Sequence, residues 1–232
     1  MGKLSSSLSS TVGRKLLMGL TGLGFVVFVA GHLAGNLSLL VGTRTQFNQY
    51  THFLESLGPT LWIIELGLLA VIVLHAYSGI MVWLTNRRAR SDKYRKTANA
   101  GGPSLKSWSS VWMIFTGIVL ALFLVAHVWS FKYGPSVAEG YVQHVDGEGI
   151  RDLHRLVVET FSQPAPVIFY CGVMILLGLH LRHGFWSAFQ SLGAMNSKLT
   201  PLTYTIGVLV AVLVGLGFLI LPVWIYINGG GT

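Results

Sequence analysis

The chain has 232 residues, 52% of them hydrophobic and 10% charged, with a formal net charge of +8 and a mean hydropathy of +0.62. Soluble domains carry about 25% charged residues; no core in a chain this size absorbs that deficit, so the expected solvent is the lipid bilayer. On such a chain a basic balance speaks to membrane sidedness rather than to nucleic acid, and the single cysteine, Cys171, excludes an internal disulfide framework or a cysteine-ligated cluster and reads as a packing residue.

Crossing a bilayer core of about 30 Å takes roughly 20 helical residues, and five stretches are long enough. They are expected at about Leu16–Val41, Thr60–Leu84, Ser109–Phe131, Pro164–Phe189 and Leu202–Ile227. The first follows Lys3, Arg14 and Lys15, as a secretory signal would. Its apolar part, about 26 residues against 7–15 in a signal peptide, makes it a retained span. Trp62, Trp83, Trp108, Trp129, Trp224 and Tyr226 fall near span ends, where interfacial aromatics belong. The expected fold is therefore an all-α bundle of five transmembrane helices, one membrane-anchor domain over residues 1–232. The largest segment between spans, 132–163, reads as a loop rather than a folded unit. No internal repeat is apparent.

Charge sets the expected orientation. Lys3, Arg14 and Lys15 precede the first span, and the segment NRRARSDKYRKTANAGGPSLK after the second holds seven Lys and Arg residues. Lys198 lies on the same side. The other side holds Arg44, Lys132, Arg151 and Arg155, diluted by Glu139, Asp146, Glu148, Asp152 and Glu159. The positive-inside rule puts the N-terminus in the cytoplasm and the C-terminus outside. The basic segment reads as a lipid-facing topogenic loop, as a docking surface for a soluble cytoplasmic partner, or as both.

Five of the eight histidines, His32, His75, His127, His180 and His183, fall inside the apolar runs. Ionisable groups inside a membrane are costly and mark function by default, although one alone serves equally as hydrogen-bonding glue between helices. Depth sharpens the pattern. At 1.5 Å per residue, His32 lies about 25 Å and His127 about 27 Å from the inner ends of their helices, while His75 and His180 lie roughly 14 to 17 Å from theirs. Two histidines at one depth on different helices suit the two faces of a haem iron, a six-coordinate centre with no open position. A zinc site wants three or four converging ligands, and a proton relay needs no such pairing. Gly31, Gly35, Gly79 and Gly178 flank the ligands as clearance for a flat ring or as helix-packing glycines. His183, one turn from His180, is an alternative ligand on spacing alone or a propionate contact, with Arg182 nearby. His52, His144 and His154 fall in exterior loops and are expected to be solvated.

The pieces GHLAGNL, FNQYTHFLESL, LEL followed by LHAYSGIMVWL, TGIVLALFLVAHVW, RDLHRLVVETFSQP and GLHLRHGFWSAFQSLG occur in this order over most of residues 14–227. Together they resemble the di-haem cytochrome b membrane anchor of succinate dehydrogenase and fumarate reductase complexes, the five-span single-chain type. The resemblance implies two b haems, an outer one ligated by His32 and His127 and an inner one by His75 and His180, with His180 preferred over His183. It implies a flavoprotein subunit and an iron–sulfur subunit on the cytoplasmic side of a bacterial cytoplasmic membrane, and electron exchange with a quinone, often menaquinone. No flavin or cluster motif is present, so succinate chemistry is not expected on this chain.

Arg14, Lys15, Arg182 and His183 are the candidates for holding haem propionates. Some members of the family it resembles carry a basic or polar residue just before the Thr-Gly of the third span; here VWMIFTG is apolar, which argues against a propionate contact from that position. Glu65, the only acid well within a span, and His52 and Glu55 near the outer face are candidates for quinone and proton chemistry, with a structural hydrogen bond as the alternative role of Glu65. The competing functions are a di-haem cytochrome b of another membrane dehydrogenase or hydrogenase, docking its partner outside, and a cofactor-free membrane scaffold with histidines as polar glue.

Overall fold

The computed structural model describes residues 10–88 and 112–229. The helices in chain order are α1 (Thr11–Asn36), α2 (Ser38–Val41), α3 (Arg44–Ser56), α4 (Pro59–Arg88), α5 (Met113–Phe131), α6 (Leu153–Phe161), α7 (Pro164–Ser191) and α8 (Leu199–Asn228), with a two-stranded hairpin, β1 (Val142–Val145) and β2 (Glu148–Arg151), before α6. Five helices are long and apolar enough to cross a membrane: α1 run on through α2, then α4, α5, α7 and α8. Each falls on an expected span, and the chain is a multi-pass membrane protein. Lys3, Trp108, Ser109 and the part of the basic segment from Arg90 to Lys106 lie outside the described residues; Arg87 and Arg88 close α4.

Helices are the only open-ended way to satisfy a lipid-bound backbone, and local chemistry sets their ends. Ser10 caps α1 by accepting from the Gly13 amide at 3.0 Å. Pro59 and Pro164 open α4 and α7, where the missing N–H costs nothing and the fixed φ suits the first turn. Gly229 closes α8 at φ +62°, a left-handed cap that glycine adopts freely.

Packing is lopsided in an informative way. α1 lies against α4 and α7, α5 lies against α7 and more lightly against α4, and α8 runs along the outside of α7. Four helices thus form a ring with α1 opposite α5 and α4 opposite α7. Around it, side chains such as Ile63 (71% exposed), Val125 (69%) and Ile168 (72%) point away from the protein. In water that surface would drive aggregation; here it is the lipid face. Where α7 and α8 cross, Gly178 meets the backbone of α8: a Cβ there would lie 3.5 Å from the Ala211 carbonyl oxygen and 4.0 Å from Gly215 Cα. Gly178 therefore serves close helix packing and gives no clearance for a ring beside His180. Gly35 is likewise occupied, because a Cβ there would collide with the Tyr50 hydroxyl. Gly31 has open space where its Cβ would stand.

The segment 132–163, expected as a loop, is folded. Asp146 (φ +51°) and Gly147 (φ +86°) make the two-residue turn with both central residues left-handed that suits a tight hairpin, pairing Val145 with Glu148. The Arg151 guanidinium reaches back to cap α5, donating to the carbonyls of Phe131 (2.8 Å), Pro135 (3.0 Å) and Gly134 (3.1 Å). Asp152, fully buried, ion-pairs with Arg44, accepts from Asn48 Nδ2 at 2.7 Å and caps α6 through the Arg155 amide at 3.1 Å. Asn48, also fully buried, accepts from the His154 amide at 2.9 Å and donates to Gln143 at 2.7 Å. His154, expected to be solvated, is 8% exposed beneath this cap, and burial holds its imidazole below the usual range against the raising influence of Asp152. The reason is long-range polar pairing: α3 and α6 satisfy each other's buried groups, which water would otherwise do.

Burial works against ionisation of Asp152, but the hydrogen bonds from Arg44 and Asn48 outweigh it and hold the carboxyl below its ordinary range. The sign follows: its contribution to stability is present above the unfolded-state value of about 3.9 and is lost as pH falls through the lower folded-state value. Asp152→Ala should destabilise this cap by about 2–4 kcal/mol, since Asn48 and the first turn of α6 lose a buried partner. Thermal unfolding of the detergent-solubilised protein checks this, with the deficit shrinking in strong acid, where protonation of Asp152 in the wild type removes the charge interaction with Arg44 but leaves an acceptor oxygen.

Candidate functional site

The ring of four helices brings the predicted histidines together at two levels. His32 on α1 and His127 on α5 have ring centres 5.9 Å apart with planes at 84°. His75 on α4 and His180 on α7 have ring centres 6.4 Å apart at 64°. Each pair joins opposite corners of the ring, so the two pairs lie on crossed diagonals. The pair nearer the start of α1, His75 and His180, is termed inner here and the other outer, after the expected orientation.

Several observations bear on whether a metal-centred ring fits between them. Two imidazoles on opposite sides of one metal, each nitrogen about 2 Å from it, separate their ring centres by on the order of 6 Å. Both pairs meet that spacing. Nδ1 of three of the four is already engaged: His75 by Thr21 Oγ1 and the Met18 carbonyl, both at 3.2 Å, His180 by Thr116 Oγ1 at 3.0 Å and His127 by the Tyr170 hydroxyl at 3.2 Å. Such partners orient metal-ligating histidines and leave Nε2 to the metal. His32 is touched less closely, by Asn36 Nδ2 at 3.4 Å from Nδ1. Phe28 and Phe123, each four residues before an outer histidine, stack on it at 5.7 and 5.5 Å between ring centres.

Two buried polar atoms have no hydrogen-bond partner among the described residues, Ser78 Oγ and His183 Nδ1. Ser78 lies three residues after His75 and is fully buried; His183 lies three after His180. Both stand one turn inward of the inner pair, where an additional polar group would satisfy them. Arg14 lies two turns before Thr21 on the same side of α1, and Lys15 is exposed. Arg182 instead lines a groove of about 290 Å³ between α7 and α8, with Gly178, Val208 and Ala211; it sits about 200° around the helix from His180 and is not brought to the inner pair. No cluster of three or more His, Cys, Asp or Glu suited to a metal ion occurs among the described residues.

At the outer end Glu65 of α4 ion-pairs with Lys132, the residue that caps α5. The Lys132 ammonium lies 5.5 Å from the centre of the Trp62 ring and 5.7 Å from that of Tyr133. Beside it opens a cleft of about 420 Å³ lined by Trp129, Ser130, Tyr133, Gly134, Pro135 and Glu139. His52 and Glu55, expected in a loop, sit on the helix α3. His52 Nε2 lies 3.7 Å from Glu148, Glu55 is exposed, and no contact joins either of them to Glu65 among the described residues. Thr21, Thr116, Tyr170, Ser78 and Lys132 were missed in the sequence. The spacing Thr-Gly-x9-His, present in both α1 and α5, is the signal that finds the two threonines.

A curated relative is 24% identical over 163 residues, 69% of this chain and 69% of its own length: the succinate dehydrogenase cytochrome b558 subunit of Bacillus subtilis (strain 168). The chain is similar to a succinate dehydrogenase cytochrome b subunit. No family model matches it, and no solved structure matches it. The stretch of similarity is long enough to include more than one of the helices that carry the histidines, so the likeness extends beyond a single span.

Proposed function

We propose that this chain is the membrane anchor of a succinate:quinone oxidoreductase, holding two b haems between a cytoplasmic iron–sulfur subunit and a membrane quinone. The observation that carries the reading is the pairing of four intramembrane histidines at two levels on crossed diagonals, joined to the resemblance to a cytochrome b subunit. Polar glue between helices needs neither the pairing nor the spacing.

Bound haem would supply one-electron chemistry here. The residues supply placement. His75 and His180 would hold the inner haem and His32 and His127 the outer one, with Nδ1 partners aiming the rings of His75, His180 and His127. Ser78, His183 and Arg14 are the groups available for the inner propionates, and Lys15 lies at the same end. The aromatic side chains of Phe28 and Phe123 keep water from the outer ligands. Glu65, held by Lys132 at the outer interface, is the group placed to pass a proton to or from a quinone in the cleft beside Trp129 and Tyr133; menaquinone is the expected type. The N-terminus is cytoplasmic, the C-terminus outside, and the membrane is the bacterial cytoplasmic membrane. Partners are the flavoprotein and iron–sulfur subunits, for which the basic sequence after α4 is the expected docking segment.

Purification of the tagged chain from its own membranes in mild detergent tests the reading. Covalent or tightly bound flavin, iron–sulfur clusters and succinate-dependent quinone reduction should travel with it. Capture of an externally facing dehydrogenase or hydrogenase instead would move the assignment to another cytochrome b complex.

A further inference from the structure

Two stretches share one spacing: TGLGFVVFVAGH at 21–32 and TGIVLALFLVAH at 116–127, each with Phe four residues before the histidine. Eleven residues advance a helix by about 16 Å and return to within about 20° of the same face. Each stretch therefore carries an outer histidine at one end and, on the same face at the inner level, a threonine. We propose that Thr21 and Thr116 are positioning residues of the inner haem site, accepting the Nδ1–H of His75 and His180 and thereby fixing both rings with Nε2 toward the metal. The inference rests on the haem reading above.

The hydrogen-bond inventory decides the direction of each bond. A hydroxyl has one hydrogen to give. Thr116 gives its hydrogen to the Met113 carbonyl at 3.1 Å, so toward His180 Nδ1 at 3.0 Å it acts as acceptor. Thr21 gives its hydrogen to the Leu17 carbonyl at 2.6 Å and likewise accepts from His75. The Met18 carbonyl, 3.2 Å from His75 Nδ1, can only accept, which independently puts the hydrogen on Nδ1. Both threonines are themselves buried, at 7% and 3% exposure, so water does not compete for these bonds. The glycine after each threonine completes the seat. A Cβ at Gly22 would stand 3.2 Å from His75 Cε1, and one at Gly117 would stand 3.5 Å from His180 Cε1.

The inner ligands are thus aimed by the two helices, α1 and α5, that supply no inner ligand. The outer site lacks this threonine arrangement: His127 meets Tyr170, and among the described residues the hydrogen-bonding side chain beside the His32 ring is Asn36, whose amide already donates to the His32 carbonyl at 2.8 Å. An imidazole that donates its second N–H is a more basic ligand and favours the oxidised metal, so removing an acceptor raises the reduction potential of that site alone.

The test is a redox titration of the purified complex, following the b-type α-bands of wild type, Thr116→Val, Thr116→Ser, Thr21→Val and Thr21→Ser. Thr116→Val should shift the inner midpoint upward, or lose the inner haem, with the outer midpoint unchanged. Thr21→Val should shift it less, since His75 keeps the Met18 carbonyl. The serine variants should restore the wild-type values. Unaltered midpoints in both valine variants, equal shifts at both sites, or serine behaving as valine would overturn the proposal. A wild-type complex with no b-type band would overturn the haem reading and this inference together, whereas normal bands with unresponsive midpoints sink only this inference.

Discussion

His180→Ala should yield a protein that retains one b haem, with the reduced-minus-oxidised α-band falling to about half. On the proposed reading His180 is one ligand of the inner pair, and its neighbour His183 cannot replace it without a turn of helix, about 4.5 Å of axial displacement for three residues. The α7–α8 crossing at Gly178 and Gly215 is independent of the imidazole, so the bundle should still assemble. His75→Ala should give the same spectrum as His180→Ala, and the double variant should match either single. His32→Ala and His127→Ala should remove the other haem, and combining His75→Ala with His127→Ala should remove both. The pattern is diagnostic because effects within one site do not add and effects at separate sites do. Pairing along the sequence, His32 with His75 and His127 with His180, predicts the reverse set of equivalences. If His183 were the ligand, His183→Ala would remove the haem and His180→Ala would spare it.

The second large effect is expected at Glu65. With Glu65→Gln, succinate-dependent quinone reduction should fall by about 10²-fold or more, the range that general acid–base groups contribute. Haem content and reduction of the haems by succinate should be unchanged, because the lesion lies beyond them. Lys132→Ala separates this role from a purely structural one. If the Glu65–Lys132 pair merely ties α4 to α5, both variants lose the same tie and should show the same modest loss of stability, with quinone turnover falling in parallel. If Glu65 handles the proton, Lys132→Ala should retain most of the turnover while Glu65→Gln does not. Glu55→Gln and His52→Ala, at an exposed and a half-buried position of α3 with no contact to Glu65 among the described residues, should leave turnover near wild type.

How much was legible depended on the range of the interaction. The spans were readable because lipid imposes a composition that short windows reveal, and α1, α4, α5, α7 and α8 fall where hydropathy placed them. The two histidine levels were readable because a helix converts sequence position into depth. The same arithmetic would have found Thr21 and Thr116, eleven residues before His32 and His127, but threonine in an apolar run carries no charge to draw notice. Ser78 was hidden for that reason too. The outer cap was misread because its polar composition resembles a loop. What folds it is the pairing of Arg44 and Asn48 with Asp152, more than a hundred residues apart, which no local pattern contains. The Asp146-Gly147 pair between VQHV and EGIR was the one local sign of the hairpin. Spacing alone left clearance and helix packing open for the glycines next to histidines, because it cannot say which neighbour faces them: Gly178 faces α8, Gly35 faces Tyr50, Gly31 has open space, and among the described residues Gly22 and Gly117 face the inner imidazoles.

The central claim is that four histidines hold two haems in one chain. The most direct measurement is the haem content of the purified protein by alkaline-pyridine spectrum, set against protein concentration from amino-acid analysis. The account predicts a b-type spectrum with two haems per chain. One haem per chain would leave one histidine pair without its ligand, and none would reduce all four to polar contacts between helices; either result would contradict it.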